Sequence, residues 1–251
     1  MKLLIDLGNS RLKCALWDNG TLRYLGARAH VAAGAVPDIG ELWKDIQSVS
    51  AVLIASVAGK SLEDEIVLQT RRRFGIEARL VASPASACGV RNAYPRPERL
   101  GVDRFLGLVA LRAEQPGPWV LASCGTALTL DALAADGTHL GGLIAPSPAL
   151  MRDALTGATA RLSTPQHARI VERADNTDDA IESGVWLAAA ALLERFRAQA
   201  AADLGTTPAL ILTGGGASQL GALVTAPHRV DAELVLRGLA IYADSLAASA
   251  G

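Results

Sequence analysis

The sequence predicts an α/β protein of two similar lobes. Short apolar runs of strand length alternate with longer segments whose apolar residues recur at helical spacing. The start of the chain also returns at its middle. Laying Gly8 on Gly125 lays Asn9-Ser10 on Thr126-Ala127 and Asn19-Gly20-Thr21 on Asp136-Gly137-Thr138. Between the copies stands Gln115-Pro116-Gly117-Pro118, the clearest breaker in the chain, which sets expected lobes of residues 1–116 and 117–251. A repeat of this period is too long for a solenoid and implies a duplicated lobe with a cleft between the copies.

Each element has a local reason. Residues 2–7 and 11–17 are apolar runs split by Gly8-Asn9-Ser10, two strands and a tight turn, and Asn19-Gly20 opens a third strand over 21–28. Residues 40–47 read as a short helix, 51–57 as a buried strand and 61–74 as a helix. The Ser-, Pro- and Ala-rich stretch 83–100 reads as a loop, and 102–114 as a helix. In the second copy 119–123 is a strand, Gly125-Thr126-Ala127 a turn, and a further strand runs through Leu133. Asn176 to Asp179 supplies a cap and acidic first-turn residues for a long helix over 178–201. A strand over 209–213 ends in Gly214-Gly215-Gly216, and a helix over 233–249 follows.

Composition narrows the partners. In 251 residues, 24 Lys and Arg balance 25 Asp and Glu, so no basic field exists for nucleic acid or a membrane surface. No stretch reaches about 18 uncharged apolar residues, and Asp6 arrives before a signal-peptide core could form, so a cytoplasmic location is expected. Cys14, Cys88 and Cys124 stand far apart without CxxC spacing, which argues against a disulfide framework or structural zinc and predicts buried apolar cysteines. His30, His139, His167 and His228 lie singly, so any metal is expected on oxygen ligands and phosphate.

Candidate chemistry lies at glycine turns. Val57-Ala58-Gly59-Lys60-Ser61 imitates the end of a P-loop, but Ile54 occupies the place of the first glycine, and Lys60-Ser61 reads as an ordinary helix start. Asp6-Leu7-Gly8-Asn9-Ser10 and Ser123-Cys124-Gly125-Thr126-Ala127 occupy equivalent places in the repeat. Glycine lets backbone approach a phosphate while nearby N–H and hydroxyl groups donate to it, and Asp6 at a strand end suits Mg²⁺. Taken singly, each turn reads equally as a β-hairpin. The Gly214 run likewise reads as a strand-to-helix turn, or as bare backbone beside a purine or ribose.

Taken together, these residues carry a resemblance. Asp6, Gly8, Asn9, Ser10 and Lys13, then Tyr94-Pro95, Gly101-Val102-Asp103-Arg104, Gly125-Thr126-Ala127 with Thr129 and Asp131, Gly141-Gly142, Asn176-Thr177, Ser183-Gly184 and Gly214 to Ala217 follow in order. The set resembles type III pantothenate kinases over nearly the whole chain. The resemblance implies a duplicated ribonuclease H-like, actin-like fold with two lobes around a nucleotide cleft, ATP and Mg²⁺ as co-substrate and metal, pantothenate as acceptor, and a homodimer. It assigns Asp103 as the catalytic base. Asp6, Leu7, Gly8, Asn9, Ser10, Arg11, Leu12, Lys13, Gly125, Thr126, Gly214 and Gly215 fall on the ATP side, with Asp6 on the metal. Tyr94, Gly101, Val102, Asp103, Arg104 and Thr177 fall on the pantothenate side. Two positions depart from the pattern. Ser123 stands where many members carry an Asp that helps hold a monovalent cation such as potassium or ammonium, which puts that requirement in question. Ser147 stands where glycine often follows proline, and a local loop change is expected there. A noncatalytic nucleotide-binding regulator, or another actin-like small-molecule kinase, is the alternative reading.

Overall fold

The computed structural model describes residues 1–30, 39–159 and 167–248. In chain order the elements are β1 (Lys2–Leu7), β2 (Arg11–Asp18), β3 (Thr21–Ala29), α1 (Gly40–Trp43), β4 (Ala51–Ser56), α2 (Lys60–Phe74), β5 (Arg79–Val81), β6 (Ser86–Ala87), β7 (Val90–Arg91) and α3 (Val102–Glu114). There follow β8 (Trp119–Cys124), β9 (Ala127–Leu133), β10 (His139–Pro146), α4 (Pro148–Ala158), α5 (Thr177–Leu204), β11 (Ala209–Thr213), α6 (Ala217–Gly221), β12 (His228–Val230) and α7 (Leu234–Ala248).

Two five-stranded sheets carry the duplication. Their orders, β3-β2-β1-β4-β5 and β10-β9-β8-β11-β12, are the same order written twice. In each, the first strand pairs antiparallel with the second and parallel with the fourth, as β1 does with β2 and β4 and β8 does with β9 and β11. The repeat read from Gly8 and Gly125 is therefore a repeat of topology as well as of turns.

The chain forms two compact units. The first holds residues 1–116, the turn 136–139 and residues 233–248; the second holds 117–135 and 140–232. A single division at 116/117 would leave the last helix in the second unit, but α7 belongs to the first. It packs along α3 and touches β1, β2 and β4. The reason is an exchange of bulk for proximity: a Cβ on Gly238 would lie 1.9 Å from the carbonyl oxygen of Leu106, so only glycine lets the two helices approach so closely. Lys2 Nζ donates to the Ala243 carbonyl at 3.0 Å and to Asp244 at 2.7 Å, and Trp17 Nε1 donates to the same carboxylate at 2.9 Å.

Strand alternation in the first unit sorts core from site. Leu3, Ile5 and Leu7 enter one core with Leu12, Cys14, Leu16, Ile39, Trp43 and Ile66. Leu4 and Asp6 take the opposite face, on which α7 packs beside α3. In the second unit Val120, Ala122, Leu128, Leu130, Leu210 and Leu212 meet Val185, Trp186, Ala189 and Leu193 of α5. Burying a large aliphatic or aromatic side chain is worth roughly 1.5–3 kcal/mol, so these two clusters hold each sheet to its helices.

Local expectations met the fold with some differences. The helix expected over 40–47 stops at Trp43. Trp43, Ile46 and Val49 are all buried, and their spacing of three imitates a helix, but Ile46 and Val49 reach the core from a turn and extended chain. The expected loop 83–100 contains the small β6–β7 hairpin and one 3₁₀ turn over Pro97–Arg99. Lys60 opens α2 and pairs with Glu63 and Asp64, as an ordinary helix start does. Ser147 is built into the fold as the cap of α4, its Oγ accepting from Leu150 N at 3.2 Å. All three cysteines are free; Cys14 and Cys124 are buried, whereas Cys88 is half-buried in a turn with φ 49°. Among the described residues no helix is long and apolar enough to cross a membrane.

Gly238→Ala is expected to destabilise the protein by about 3 kcal/mol, at the upper end of overpacking costs, because the obstacle is backbone. Urea denaturation reads it as a lower midpoint, and a midpoint equal to that of the native chain would show that α7 and α3 can separate at no cost.

Candidate functional site

In the first unit the site residues gather around one end of β1. Asp6 and Lys13 are cross-strand partners in the β1–β2 pair, and the turn Gly8-Asn9-Ser10 between them closes with Gly8 N donating to Arg11 O at 3.0 Å. Asn9, Ser10 and Arg11 are exposed, while Leu7 and Leu12 are a fully buried cross-strand pair. Any part Leu7 and Leu12 take in nucleotide binding therefore falls to their backbone. His30 supports the turn from the core side: its Nε2 lies 2.9 Å from the Gly8 carbonyl, and its backbone N donates to Ser10 O at 3.1 Å.

Asp6 sits in an unusual electrical setting for a carboxylate. Burial pushes its carboxyl up from the ordinary 3.8 to about 6; the facing Lys13 holds it down in part, and the negative charge of Asp103 raises it. Asp103 stands in the first turn of α3, and its Oδ1 accepts from Arg104 N at 2.9 Å. The helix start favours that negative charge through its free N–H groups and dipole. A cation beside Asp6 would offset the cost of ionising it there. The donor set is sparse: among the described residues no three His, Cys, Asp or Glu side chains cluster to hold a metal. One carboxylate with water and phosphate oxygens is the usual way a protein binds Mg²⁺ beside a nucleotide, so Asp6 fits that role.

The next residue on α3 turns toward a different group. Arg104 is 5% exposed, and its Nη1 donates to Tyr94 Oη at 3.2 Å, with the guanidinium carbon 5.9 Å from the Tyr94 ring centroid. Tyr94 is held at its backbone by Asn92, whose Oδ1 accepts from Tyr94 N at 3.0 Å and whose Nδ2 donates to the carbonyls of Pro84 and Pro97. Val102 is buried at the start of the same helix, and Gly101 is the position that precedes it.

The second unit presents its own pair of turns. Gly125 and Thr126 are exposed between β8 and β9, with Gly125 N donating to Ala127 O at 2.9 Å. The Gly214 run lies against this turn: Gly216 N donates to Cys124 O at 2.9 Å, and a Cβ on Gly214 would stand 2.5 Å from the same oxygen. Gly215 is exposed. Ser123 is half-buried on β8, opposite Thr129. Thr177 is exposed at the first position of α5, after Asn176, whose side chain accepts from Asp179 N at 2.9 Å. The structure thus joins Asp6, Lys13 and Asp103 in one field and Tyr94 with Arg104 by a hydrogen bond. Gly125, Thr126, Gly214, Gly215 and Thr177 all stand in the second unit.

The family model described as type III pantothenate kinase matches residues 2–200. The chain belongs to the type III pantothenate kinase family. Curated relatives agree over nearly their whole length. A type III pantothenate kinase of Xanthomonas campestris pv. campestris is 43% identical over 246 residues, covering 98% of each chain. One from Nitrosococcus oceani is 35% identical over 246 residues, covering 96% of this chain and 92% of that one. Among solved structures, a protein of Campylobacter jejuni described as a putative Baf family transcriptional activator aligns with a TM-score of 0.62 at 19% identity, over 98% of this chain and 99% of that one. MreB 5 of Spiroplasma citri, solved with AMPPNP, aligns with a TM-score of 0.51 at 10% identity, over 99% and 97%. At such identities these two likenesses show the fold, which is the duplicated actin-like one that the resemblance implied.

His30, Asn92 and His139 were not among the residues the sequence singled out for the site. Nothing local to His30 or Asn92 marks them. His139 carried one signal, since the repeat lays it on Leu22, a polar residue in an apolar place.

The raised carboxyl of Asp6 has a stability consequence in the protein free of nucleotide and divalent metal. Because the folded value lies above the unfolded one, the contribution of Asp6 is fully present below about pH 3.8 and is lost as pH rises through about 6. Asp6→Asn is expected to stabilise the free protein by on the order of 2–3 kcal/mol at pH 7.5 and to leave it nearly unchanged at pH 4. Denaturant midpoints at the two pH values check this; an equal effect at both would mean that the buried charge is not its source.

Proposed function

We propose that Asp103, Asp6, the two glycine turns and the Tyr94–Arg104 pair carry out phosphoryl transfer from ATP to pantothenate. Membership of the family makes the chain an ATP-dependent pantothenate kinase, which forms 4′-phosphopantothenate at the entry to coenzyme A biosynthesis. The observation that carries the assignment of roles is the field shared by Asp6 and Asp103 at one sheet end, with Arg104 beside it on the same helical turn.

Phosphoryl transfer has a loose transition state, so the protein chiefly aligns two reactants and balances charge. Asp103 accepts the proton of the primary hydroxyl as its oxygen bonds to the γ-phosphorus, and the bond from that phosphorus to the β–γ bridging oxygen breaks to release ADP. A single carboxylate serves here because the hydroxyl loses its proton late, when the new bond to phosphorus already draws electrons from it. The Arg104 fork, with Tyr94 Oη on it, recognises the pantothenate carboxylate. The exposed N–H and hydroxyl groups of Gly8 to Lys13 take phosphate oxygens, as do those of Gly125 and Thr126, while Gly214 and Gly215 offer bare backbone to the adenosine. Thr177 completes the pantothenate side. Bound at Asp6, Mg²⁺ supplies the positive charge that offsets the β- and γ-phosphates. Ser123 brings no fixed charge to the second turn, so it offers a monovalent cation a neutral hydroxyl where a carboxylate would offer charge.

A second copy of the chain is the partner this reading calls for. Leu140, Leu143 and Ile144 of β10 and Leu150 and Leu155 of α4 are exposed apolar residues on the edge strand of the second sheet and the helix after it, and Ile144 is 67% exposed. Such a patch on an unpaired edge suits a covered interface of a cytoplasmic homodimer. Sedimentation is expected to give a dimer for the native chain and a smaller species for Ile144→Asp.

The test of the chemistry is a coupled assay of ADP release with MgATP and pantothenate, in sodium and then with potassium added. Pantothenate-dependent turnover is expected in both salts. Asp103→Asn is expected to lower kcat by about 100-fold or more while calorimetric ATP affinity stays within about threefold. Native kcat in the Asp103→Asn variant would overturn the assignment of the base.

A further inference from the structure

We propose that His139 is a positioning residue for pantothenate, holding the Tyr94 ring where its hydroxyl meets Arg104. The inference rests on the reading of Tyr94 and Arg104 as the carboxylate-recognising pair. His139 is 1% exposed, a polar ring placed wholly inside the first unit. Its ring stacks on Tyr94 with centroids 6.2 Å apart and planes 16° from parallel, and its Nδ1 lies 3.5 Å from the amide of Ala93. Asn92 fixes the backbone of Tyr94 but not the rotation of its ring. A flat partner against the ring supplies that second restraint, because stacked rings favour particular relative orientations.

The turn that carries His139 is itself clamped to the hairpin beside Tyr94. Arg91 N donates to Gly137 O at 2.8 Å, Arg91 Nη2 donates to Asp136 at 2.7 Å and also to the Thr138 hydroxyl, and Arg91 bridges to Thr138 as one step of a parallel pair. Gly137 has φ +86°, and a Cβ there would lie 1.9 Å from the Gly89 carbonyl oxygen, so no other residue seats the turn so deeply. The Asp136 carboxyl is held down at about 2, first by the Thr138 amide and hydroxyl and then by Arg91, so the clamp stays charged through the working pH range. These contacts fix His139 from one side and Tyr94 takes the result on the other. None of them reaches Asp6 or the nucleotide turns, so the effect of the stack is on the acceptor rather than on ATP.

Steady-state kinetics of His139→Leu and His139→Phe, with Tyr94→Ala beside them, decides the matter. His139→Leu fills the volume without a flat ring, and is expected to raise the KM for pantothenate about three- to tenfold while kcat and the KM for ATP stay within about twofold. His139→Phe restores the ring and is expected to return the pantothenate KM most of the way. A pantothenate KM unchanged in His139→Leu, with Tyr94→Ala raising it, overturns the role of His139 and leaves the Tyr94 reading standing. A pantothenate KM unchanged in Tyr94→Ala overturns that reading and the inference with it. Equal losses in kcat and in both KM values, not rescued by Phe, would make His139 a packing residue. Should His139→Leu not fold, His139→Gln carries the same expectation, since it too lacks the ring.

Discussion

The close contact of two helix backbones at Gly238 seats the helix to which the proposed chemistry is assigned. Helix α3 carries Asp103 and Arg104 on its first turn, and α7 sets its height above the sheet by lying against Leu106 without an intervening side chain. Asp6 depends on that seating. Its carboxylate is costly to bury, and Lys13 across the strand pair and Asp103 at the helix start set how large that cost is, which the proposed Mg²⁺ would offset.

That balance explains why the site is built from few charged residues. An additional acid near Asp6 would push its carboxyl further from the ionised form, and an additional base would compete with the Mg²⁺ proposed there. The first unit instead leaves one basic partner in register and one acid at a helix start. In the second unit the equivalent turn carries uncharged groups, the exposed backbone of Gly125 and Thr126 and the neutral Ser123. Charge is concentrated on one of two equivalent turns, although the strands that bear them have the same order.

Much of this was legible in the sequence because it is written in short-range signals. Val102–Glu114 and Ala209–Thr213 match their expected bounds, and the glycine turns fall at the ends of β1 and β8, since caps, breakers and period-two runs act within a few residues. The β10–α4 region was not legible: Gly141-Gly142 breaks the apolar run that would mark a strand, and Pro146 and Pro148 flank its end. Nor was the placement of α7, because an apolar helix states that it must be buried and not on which sheet. Asp6, Asp103 and Tyr94 are proposed for the site from their motifs, and the structure puts Asp6 and Asp103 in one field and Tyr94 on Arg104. His30 reaches Gly8, and Asn92 and His139 reach Tyr94, across 22, 2 and 45 positions respectively. The first and last span too much chain for a local pattern, and the Asn92 bond to the amide two residues on is an ordinary turn that carries no mark of function.

The two buried thiols give each unit its own internal clock. Cys14 lies in the core of the first sheet and Cys124 in that of the second, and burial pushes them up to about 12 and about 11. Neither forms thiolate at neutral pH while its sheet is intact, and a reagent that reacts only with thiolate must wait for that sheet to open. The half-buried Cys88 lies outside both cores, its Sγ 3.4 Å from Ser245 Oγ. A chain with one silent sulfur in each half reports the opening of its two copies separately, without an added label.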